Sequence, residues 1–326
     1  MHTRSASVLA SLPAASAVLT LSFLPGCLLA MISIVISARR HDLGGFEVGR
    51  VLPWSKRRMV GPFVFFDHMG PVELAPHLPR SMDVRPHPHI GLSTLTYLFA
   101  GEIVHRDSIG YDQVIRAGDV NWMTAGSGIS HSERFDTMRE HGGMLDGIQA
   151  WVALPEDQQE IAPAFVHIDG ADLPHVMEPG TSLRVVAGTA FGRTSKLRTH
   201  SPLFYVHAHL DAGAQIDVPD TYSERAVYVA HGEIEIEGQR FTAGQMIVFA
   251  GKEAARVMCH QSATLILLGG EPVGPRYIWW NFVSASRERI LRAGADWSEG
   301  RIPLPVGDDQ EFIPLPRDPP PAAQPL

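Results

Sequence analysis

Two pairs of candidate metal ligands bracket the stretch from Arg85 to Glu133. His87 and His89 stand two residues apart, and so do His131 and Glu133. In an extended strand, residues two apart point to the same face, so each pair can aim both side chains at one point. Three imidazoles and one carboxylate form a mixed site that suits a divalent transition metal such as Fe, Ni, Cu or Zn. The spacing therefore predicts a metal site made of His87, His89, His131 and Glu133.

This prediction depends on the spacing, because the chain contains 16 histidines and most histidines in proteins bind no metal. Taken alone, the sequence HPH is typical of a proline-stiffened loop entering a strand, and HSE is typical of a solvated turn. Here both pairs occur together, separated by hairpin-like segments with glycine turns. The combination favours a metal site over two unrelated loops.

The segments around the pairs have the pattern of short strands. Turn signals recur at residues 101–102, 108–110 and 117–119, and residues 143–155 supply a further apolar strand. This rhythm is typical of an all-β sandwich or barrel.

A second feature of the same segment concerns side-chain parity. His87 and His89 occupy odd-numbered positions, and so do the next apolar residues, Leu95, Tyr97 and Phe99. If the extended register persists through Gly91, the histidines and these apolar residues line the same interior.

The chain repeats its β-pattern in the second half. Residues 96–103 match residues 227–234, and residues 117–120 match residues 243–246. A weak internal repeat of this kind predicts two copies of one β-fold.

The second copy lacks the ligand set. At the positions of the two pairs it carries Val218 and Asp220, then Val257 and Cys259. His207 and His209 also stand two apart, but they lie too early in the repeat and have no matching second pair. We interpret them as separate from a metal site, and we expect one metal per chain, in the first half.

Composition limits the functional class. The chain has 326 residues, 45% of them hydrophobic, which allows one large domain or two ordinary ones. A net charge of −8 argues against a nucleic-acid-binding surface, which normally carries basic residues. Cys27 and Cys259 lie far apart without a CxxC motif, so neither a disulfide framework nor a thiolate metal site is expected. These features favour a reducing, cytoplasmic location.

The N-terminus allows more than one interpretation. No charged residue occurs from Ser5 to Ala38, so residues 5–38 could form a membrane anchor or a signal sequence. Alternatively, Met31 is the natural start, because the sequence after it has the pattern of strands and glycine turns. We favour Met31, and membrane anchoring is the alternative.

These patterns divide the chain into four parts. We expect a hydrophobic extension over residues 1–38, a metal-binding domain over residues 39–170, and a second domain with a degenerate site over residues 180–302. The proline-rich tail, residues 303–326, is expected to be an extended arm or disordered. The segment SASRERILRAGADW is the one clear amphipathic helical segment.

Several motifs together resemble the pirin family of the cupin superfamily, over nearly all of residues 41–316. They are HDLGGFEVGRVLP, GPFVFFDHMGP, RPHPHIG, GDVNWMTAGSGISHSE and GPRYIWWNFVSAS. The resemblance implies an all-β fold of two tandem cupin barrels (double-stranded β-helix, jelly-roll) with a short C-terminal helix. It also implies that His87, His89, His131 and Glu133 hold one metal, usually iron in this family. Many cupin dioxygenases carry a glutamate shortly after HxH, where this chain has Ser93, on the parity of the histidines.

The resemblance leaves two functions open. One is a quercetin 2,3-dioxygenase, which opens a flavonol ring with O2 and would use Glu133 as the catalytic base and ligand. The metal would be Fe(II), with Cu, Ni, Mn or Zn as alternatives, and the partners would be a small aromatic substrate and O2. The other is a non-enzymatic, redox-sensitive iron protein that regulates a protein partner. A structural metal with a closed ligand shell is a third interpretation. No separate organic cofactor is expected.

Overall fold

Short strands joined by tight turns make up most of the fold, as the sequence pattern predicts. The computed structural model describes residues 31–42 and 46–317. The strands of the first half are β1 (Ile32–Ser37), β2 (Arg39–Asp42), β3 (Glu47–Leu52), β4 (Phe63–Leu74), β5 (Val84–His89), β6 (Leu92–Ala100), β7 (Glu102–Asp107), β8 (Asp112–Arg116), β9 (Val120–Thr124), β10 (Ile129–Arg134), β11 (Gly143–Ala153) and β12 (Ala164–Ile168).

The second half continues with the same kind of element. Its strands are β13 (His175–Glu178), β14 (Thr181–Ala190), β15 (Arg193–Thr194), β16 (Leu203–Leu210), β17 (Gln215–Val218), β18 (Glu224–His231), β19 (Glu233–Ile236), β20 (Gln239–Thr242), β21 (Gln245–Phe249), β22 (Ala255–Met258), β23 (Ala263–Gly270), β24 (Tyr277–Trp279) and β25 (Phe282–Ser284). The helices are α1 (Asp136–His141) and α2 (Arg287–Ser298), with 3-10 turns at Arg80–Met82, Glu156–Gln158 and Gly170–Asp172.

Each half consists of one large and one small antiparallel sheet. In the first half the large sheet has the order β12-β9-β6-β11-β4-β3-β2 and the small sheet has the order β5-β10-β7-β8. In the second half the orders are β1-β21-β18-β23-β16-β14-β13, with β15 on β14, and β17-β22-β19-β20. The two orders match strand for strand along the described chain. The expectation of two copies of one β-fold is therefore confirmed.

The two large sheets pack against each other through a shared apolar core. This core contains Tyr97 and Ile148 from the first half and Tyr228 and Ile266 from the second half, all with 0% exposure. Separate apolar clusters fill the two barrels, one that includes Trp151 and one whose buried residues come from the second half, with residues of β1 packed against it. Burial of such large side chains is the dominant favourable contribution to folding.

The first strand of the described chain belongs to the second barrel. Strand β1 pairs antiparallel with β21, from Ile32 opposite Phe249 to Ser37 opposite Gln245. It takes the place on β21 that β12 takes on β9. The predicted extension over residues 1–38 therefore overlaps a strand of the folded unit from Ile32 onward.

The remaining part of that extension, residues 1–30, lies outside the described residues. The proposed anchor, residues 5–38, therefore also lies mostly outside them. Within residues 31–42 and 46–317, neither helix is both long enough and apolar enough to cross a membrane.

The predicted helical segment is confirmed as α2. The Ser286 hydroxyl caps its first turn by accepting a hydrogen bond from the Arg289 backbone N–H, at 3.2 Å. Ile290, Ala293 and Trp297 are buried against the C-terminal arm, which we define as residues 301–317.

Candidate metal centre

Strand β5 presents the first two histidines. Pro86 and Pro88 hold its backbone extended, and β5 lies at the edge of its sheet, where missing backbone N–H groups cost least. Nδ1 of His87 lies 2.9 Å from the Arg85 carbonyl, and Nδ1 of His89 lies 3.2 Å from the Asn281 carbonyl. Since a carbonyl only accepts, each Nδ1 donates, and each Nε2 keeps a lone pair.

Strand β10 brings the third histidine to the same point. His131 pairs with His87 across the two strands, and its Nε2 lies 3.1 Å from Nε2 of His89. The ligand atoms of all three histidines lie within 4.8 Å of one another. Donors about 2.1 Å from one ion and at right angles to each other are about 3 Å apart. The three imidazoles therefore fit a bound transition metal.

Burial keeps all three imidazoles neutral. The exposed fractions of His87, His89 and His131 are 7%, 1% and 1%. Loss of solvent lowers the pKa of His87 to about 4 and, together with neighbouring histidines, lowers the pKa values of His89 and His131 well below their ordinary range. Neutral imidazole is the form that binds metals.

A chain of two further residues orients His131. Its Nδ1 lies 3.3 Å from Nδ1 of His105, and Nε2 of His105 lies 3.0 Å from Oδ2 of Asp107. Asp107 is fully buried, and its Oδ1 accepts from the backbone N–H groups of Ile109 and Tyr111. If His105 donates to the carboxylate, its Nδ1 must accept from His131. The lone pair of His131 Nε2 then faces the other histidines, as a metal ligand requires.

Glu133 stands apart from the three nitrogens. Its carboxylate is not among the groups within 4.8 Å, and the β10–β5 register shifts between His131 and Glu133. It lines the same cavity as His87 and His89. Within the described chain, no side-chain hydrogen bond or ion pair holds it. Burial alone raises its pKa to about 7. Its assignment as a metal ligand stays a prediction, as do those of the histidines.

A cavity of about 320 Å³ opens from this site. Phe65 and Trp151 form a stacked pair on one wall, with ring centroids 4.1 Å apart, and Trp151 also contacts His89. Arg50, whose guanidinium lies over the Phe65 ring, makes two hydrogen bonds to Asp67, of 2.9 and 2.8 Å. The other lining residues are His41, Phe46, Val48, Met69, Val84, Gln149, Trp280, Asn281 and Ile313. The walls are chiefly apolar and aromatic, which suits a small aromatic ligand.

The C-terminal arm completes the site. Its backbone bonds to β5 and the end of β7, through Ile313 N–H to Pro86 O and Val306 N–H to Asp107 O. Arg134, 3% exposed at its side chain, makes two hydrogen bonds of 2.7 Å to Asp308. The arm thereby places Ile313 in the cavity wall. Residues 303–317 of the proline-rich tail are thus an extended arm.

One expectation about side-chain direction is wrong. Leu95 and Tyr97 face the second barrel, not the interior that contains the histidines. Ser93 bonds to Thr124 at 3.1 Å and is not among the cavity residues. The cause is Gly91, whose φ of +66° breaks the extended register between β5 and β6. Ser93 therefore does not take the place of a cupin glutamate.

The second barrel has an apolar interior at the corresponding place. Val218, Ala255, Val257 and Cys259 all belong to its buried core. Val218 pairs with Ala255 as His87 pairs with His131. The counterpart of His131 is therefore Ala255, two residues before the predicted Val257. Both Ala255 and Val257 are apolar, so the conclusion that the second barrel lacks the ligand set is unchanged. His207 is bonded to Tyr97, His209 is exposed, and neither joins a group of metal-ligating atoms in the described residues.

Comparison with known proteins identifies the family. The Pirin model matches residues 45–152, and the Pirin C-terminal cupin domain matches residues 205–303. A pirin-like protein of Caulobacter vibrioides is 58% identical over 287 residues, which cover 88% of this chain and 100% of that protein. The chain belongs to the pirin family. The resemblance seen in the sequence motifs is thereby confirmed, and the two barrels are cupin domains.

Solved structures agree with this assignment. A crystal structure of quercetin 2,3-dioxygenase from Acinetobacter baumannii matches this pirin with a TM-score of 0.80 at 31% identity, covering 88% of this chain and 95% of that one. A second structure with the same description and source matches with a TM-score of 0.79 at 27% identity, covering 84% and 98%. The all-β bicupin fold expected from the sequence is confirmed.

Sequence reasoning missed several residues of the site. His105 and Asp107 show the same spacing of two on one strand as the ligand pairs, and this signal could have identified them. Asn281 and Ile313 gave no comparable signal, because they reach the site from almost 200 residues or more away along the chain. Asp67 lies in the cavity, whereas His68, next to it, faces the second barrel.

Proposed function

We propose that this pirin is a metal-dependent dioxygenase that opens flavonols such as quercetin with O2, releasing carbon monoxide. The supporting observation is that three neutral imidazoles converge beside a cavity with aromatic walls, which is lined by two of them, His87 and His89, and by the unpaired carboxylate of Glu133. The structural likeness to quercetin 2,3-dioxygenase of Acinetobacter baumannii supports the same substrate class. The substrates are then a small aromatic molecule and O2.

The residues that would hold the metal are His87, His89 and His131, with Glu133 as a fourth ligand or as the base. We propose Fe(II), with Cu, Ni, Mn or Zn as alternatives, since imidazole accepts all of them. When bound, the metal supplies Lewis acidity and electron transfer toward O2 at an open position. The chain of His131, His105 and Asp107 keeps the third imidazole in the binding tautomer.

Glu133 is the proposed proton acceptor. A base works best when its pKa lies near the working pH, and burial brings the pKa of Glu133 to about 7. No side-chain partner in the described chain competes for its oxygens. It would take the proton of the flavonol 3-hydroxyl.

The cavity walls would orient the substrate. The stacked rings of Phe65 and Trp151 present flat apolar surface beside His89, against which a planar ring system can pack. In the same cavity, the Arg50–Asp67 pair offers donors and acceptors to ring hydroxyl groups.

Turnover of quercetin by the purified full-length protein tests this proposal. We expect loss of quercetin absorbance to match O2 uptake and carbon monoxide release in protein loaded anaerobically with Fe(II). The double substitution His87→Ala, His131→Ala should abolish turnover, whereas the exposed His141→Ala should leave it unchanged. A fully metal-loaded protein that turns over neither quercetin nor related flavonols would refute the dioxygenase and favour the regulatory iron protein.

A further inference from the structure

A second cluster of metal-ligating side chains lies where the two large sheets meet. His68 on β4 and Asp146 on β11 come from the first barrel, and His231 ends β18 of the second. Nε2 of His68 lies 2.8 Å from Oδ1 of Asp146, and Nε2 of His231 lies 2.8 Å from Oδ2. The ligand atoms lie within 4.8 Å of one another. Placing three such groups beside an apolar core is costly, so their presence calls for a reason.

Two of these side chains sit at irregularities of the sheet. The pairing of β11 shifts register next to Asp146 on both of its neighbours. The pairing of β18 with β23 shifts between Val229 and His231. Such bulges redirect a side chain. Gly147, which follows Asp146, leaves no room for a side chain, because a Cβ would lie 2.8 Å from the backbone carbonyl oxygen of Tyr97. The backbone is thus shaped locally to aim these groups.

The internal repeat shows which contacts the sheets need. His68 bonds to Tyr228 across the sheets at 2.8 Å, and His207 bonds to Tyr97 at 2.8 Å. The strand pairing makes these two contacts equivalent. His68 and Tyr97 lie on either side of Ile148, and His207 and Tyr228 lie on either side of the corresponding Ile266. The histidine–tyrosine contact therefore occurs twice.

The carboxylate and the extra imidazole occur only once. Asp146 pairs with Ala100 on the neighbouring strand, whereas Thr264 pairs with His231 at the corresponding place of the second barrel. In the second copy of the arrangement, Thr264 thus stands where the cluster has Asp146, and Ala100 stands where the cluster has His231. The equivalent contact between the sheets forms without such a pair, so holding the sheets together does not by itself account for Asp146 and His231.

We propose that His68, Asp146 and His231 form a second cation site, for Zn²⁺ or a similar divalent ion. Two imidazoles and one carboxylate are the protein ligands of several open zinc sites. Donors about 2.1 Å from a tetrahedral ion lie about 3.4 Å apart; here each imidazole Nε2 lies 2.8 Å from a carboxylate oxygen, and the three ligand atoms lie within 4.8 Å of one another. The site goes beyond the proposed dioxygenase and does not depend on it.

The surroundings allow an ion to reach the site. Asp146 and His231 line a groove of about 400 Å³, and the His231 side chain is 35% exposed. Arg184 also lines the groove, so an anion or water can complete the ligand shell there.

Proton positions also permit binding. A metal needs a lone pair on Nε2 of His68, which requires the proton to move to Nδ1. Tyr228 faces that Nδ1, and a hydroxyl can accept as well as donate. The tyrosine then holds the ligand in its binding tautomer.

Titration with Co²⁺ tests the site in full-length protein. To remove the first centre, we would use the chelator-treated His87→Ala, His131→Ala variant and measure bound Co²⁺ together with its visible absorption. We expect one equivalent to bind. Adding His231→Ala should weaken binding by more than about 100-fold, since even the loss of a group that orients a ligand costs about 10–100-fold. His231 is suited to this change because it is partly exposed.

The repeat supplies matched controls. Tyr228→Phe should weaken binding about 10–100-fold, whereas Tyr97→Phe removes the equivalent hydrogen bond and should leave Co²⁺ affinity unchanged. Thermal unfolding would verify that both variants are folded. The proposal is overturned if the His87→Ala, His131→Ala protein binds no Co²⁺, if affinity survives His231→Ala, or if the two tyrosine variants lose affinity equally.

Discussion

Glu133→Gln should make the metal-free protein more stable and the metal-loaded protein less active. Burial raises the pKa of Glu133 from 4.5 to about 7. Each pKa unit corresponds to about 1.4 kcal/mol, so keeping this carboxylate ionised in the folded protein costs about 3 kcal/mol. Below about pH 4 the group is protonated in both states and costs nothing. Stability is therefore lost as pH rises from about 4.5 to 7, and the loss is complete above about pH 7.

Glutamine has the same size but no charge, so it avoids this cost. Urea unfolding of metal-free protein should show the stability difference between variant and wild type growing by about 3 kcal/mol between about pH 4 and pH 8. Glu73→Gln, at an exposed position of β4, is the control and should change stability little. Curves for wild type and Glu133→Gln that stay parallel across this range would show that burial does not perturb Glu133.

Activity should change in the opposite direction. Loss of a general base costs about 10²–10⁴ in rate, so quercetin turnover by the metal-loaded variant should fall at least about 100-fold. Wild-type activity should rise with pH as Glu133 ionises, at or below about pH 7, because a bound cation favours the carboxylate. This rising limb should be absent from the variant. Near-normal turnover would mean that another group takes the proton, and metal loss in step with activity would mean that Glu133 is chiefly a ligand.

Three other substitutions test the support of the site. His105→Ala should weaken metal binding at the first centre about 10–100-fold in equilibrium titration, and unchanged affinity would mean that His131 is held by packing alone. Arg134→Ala should lower the free energy of unfolding by about 3–5 kcal/mol and expose the C-terminal arm to protease. The exposed Arg256, which is bonded to Asp217, supplies the control, since Arg256→Ala should change the free energy of unfolding little; equal losses in the two variants would contradict a special role for the arm. Gly91→Ala should destabilise the fold by more than about 1–2 kcal/mol in the same assay, because its Cβ would meet a backbone carbonyl. A stable Gly91→Ala protein would show that the turn can adapt.

The convergence of the three histidines could be anticipated from the sequence because its geometry is local. Two residues on one strand share a face whatever the rest of the fold does, and the strands that carry His87 and His131 are neighbours in a small antiparallel sheet. The same rule failed beyond Gly91. The alternation of side chains between two faces holds only within one uninterrupted strand. Gly91, with its positive φ, ends β5, and the odd-numbered residues of β6 then point to the opposite face.

Contacts between distant segments could not be read from the sequence. Arg134 and Asp308 are 174 residues apart along the chain, and neither the arginine nor the proline-rich tail shows a pattern that names the other. The hydrogen bond from His89 to the Asn281 carbonyl uses backbone, so the residue type at that position carries no signal. For such contacts the fold decides which groups meet.

The repeat is informative in the opposite way, through the places where its copies differ. Matching sheets and matching histidine–tyrosine contacts show what the bicupin architecture requires of any sequence that adopts it. Against that background, a buried polar group that is present in one copy only, and that ties down no other segment, is a candidate for a binding role, because its burial costs stability. Among the described residues, two groups meet this criterion best, the three histidines near Glu133 and the cluster around Asp146. The spacing of the histidines identifies the first group within one barrel, whereas the cluster around Asp146 becomes distinct only through the comparison of the two copies.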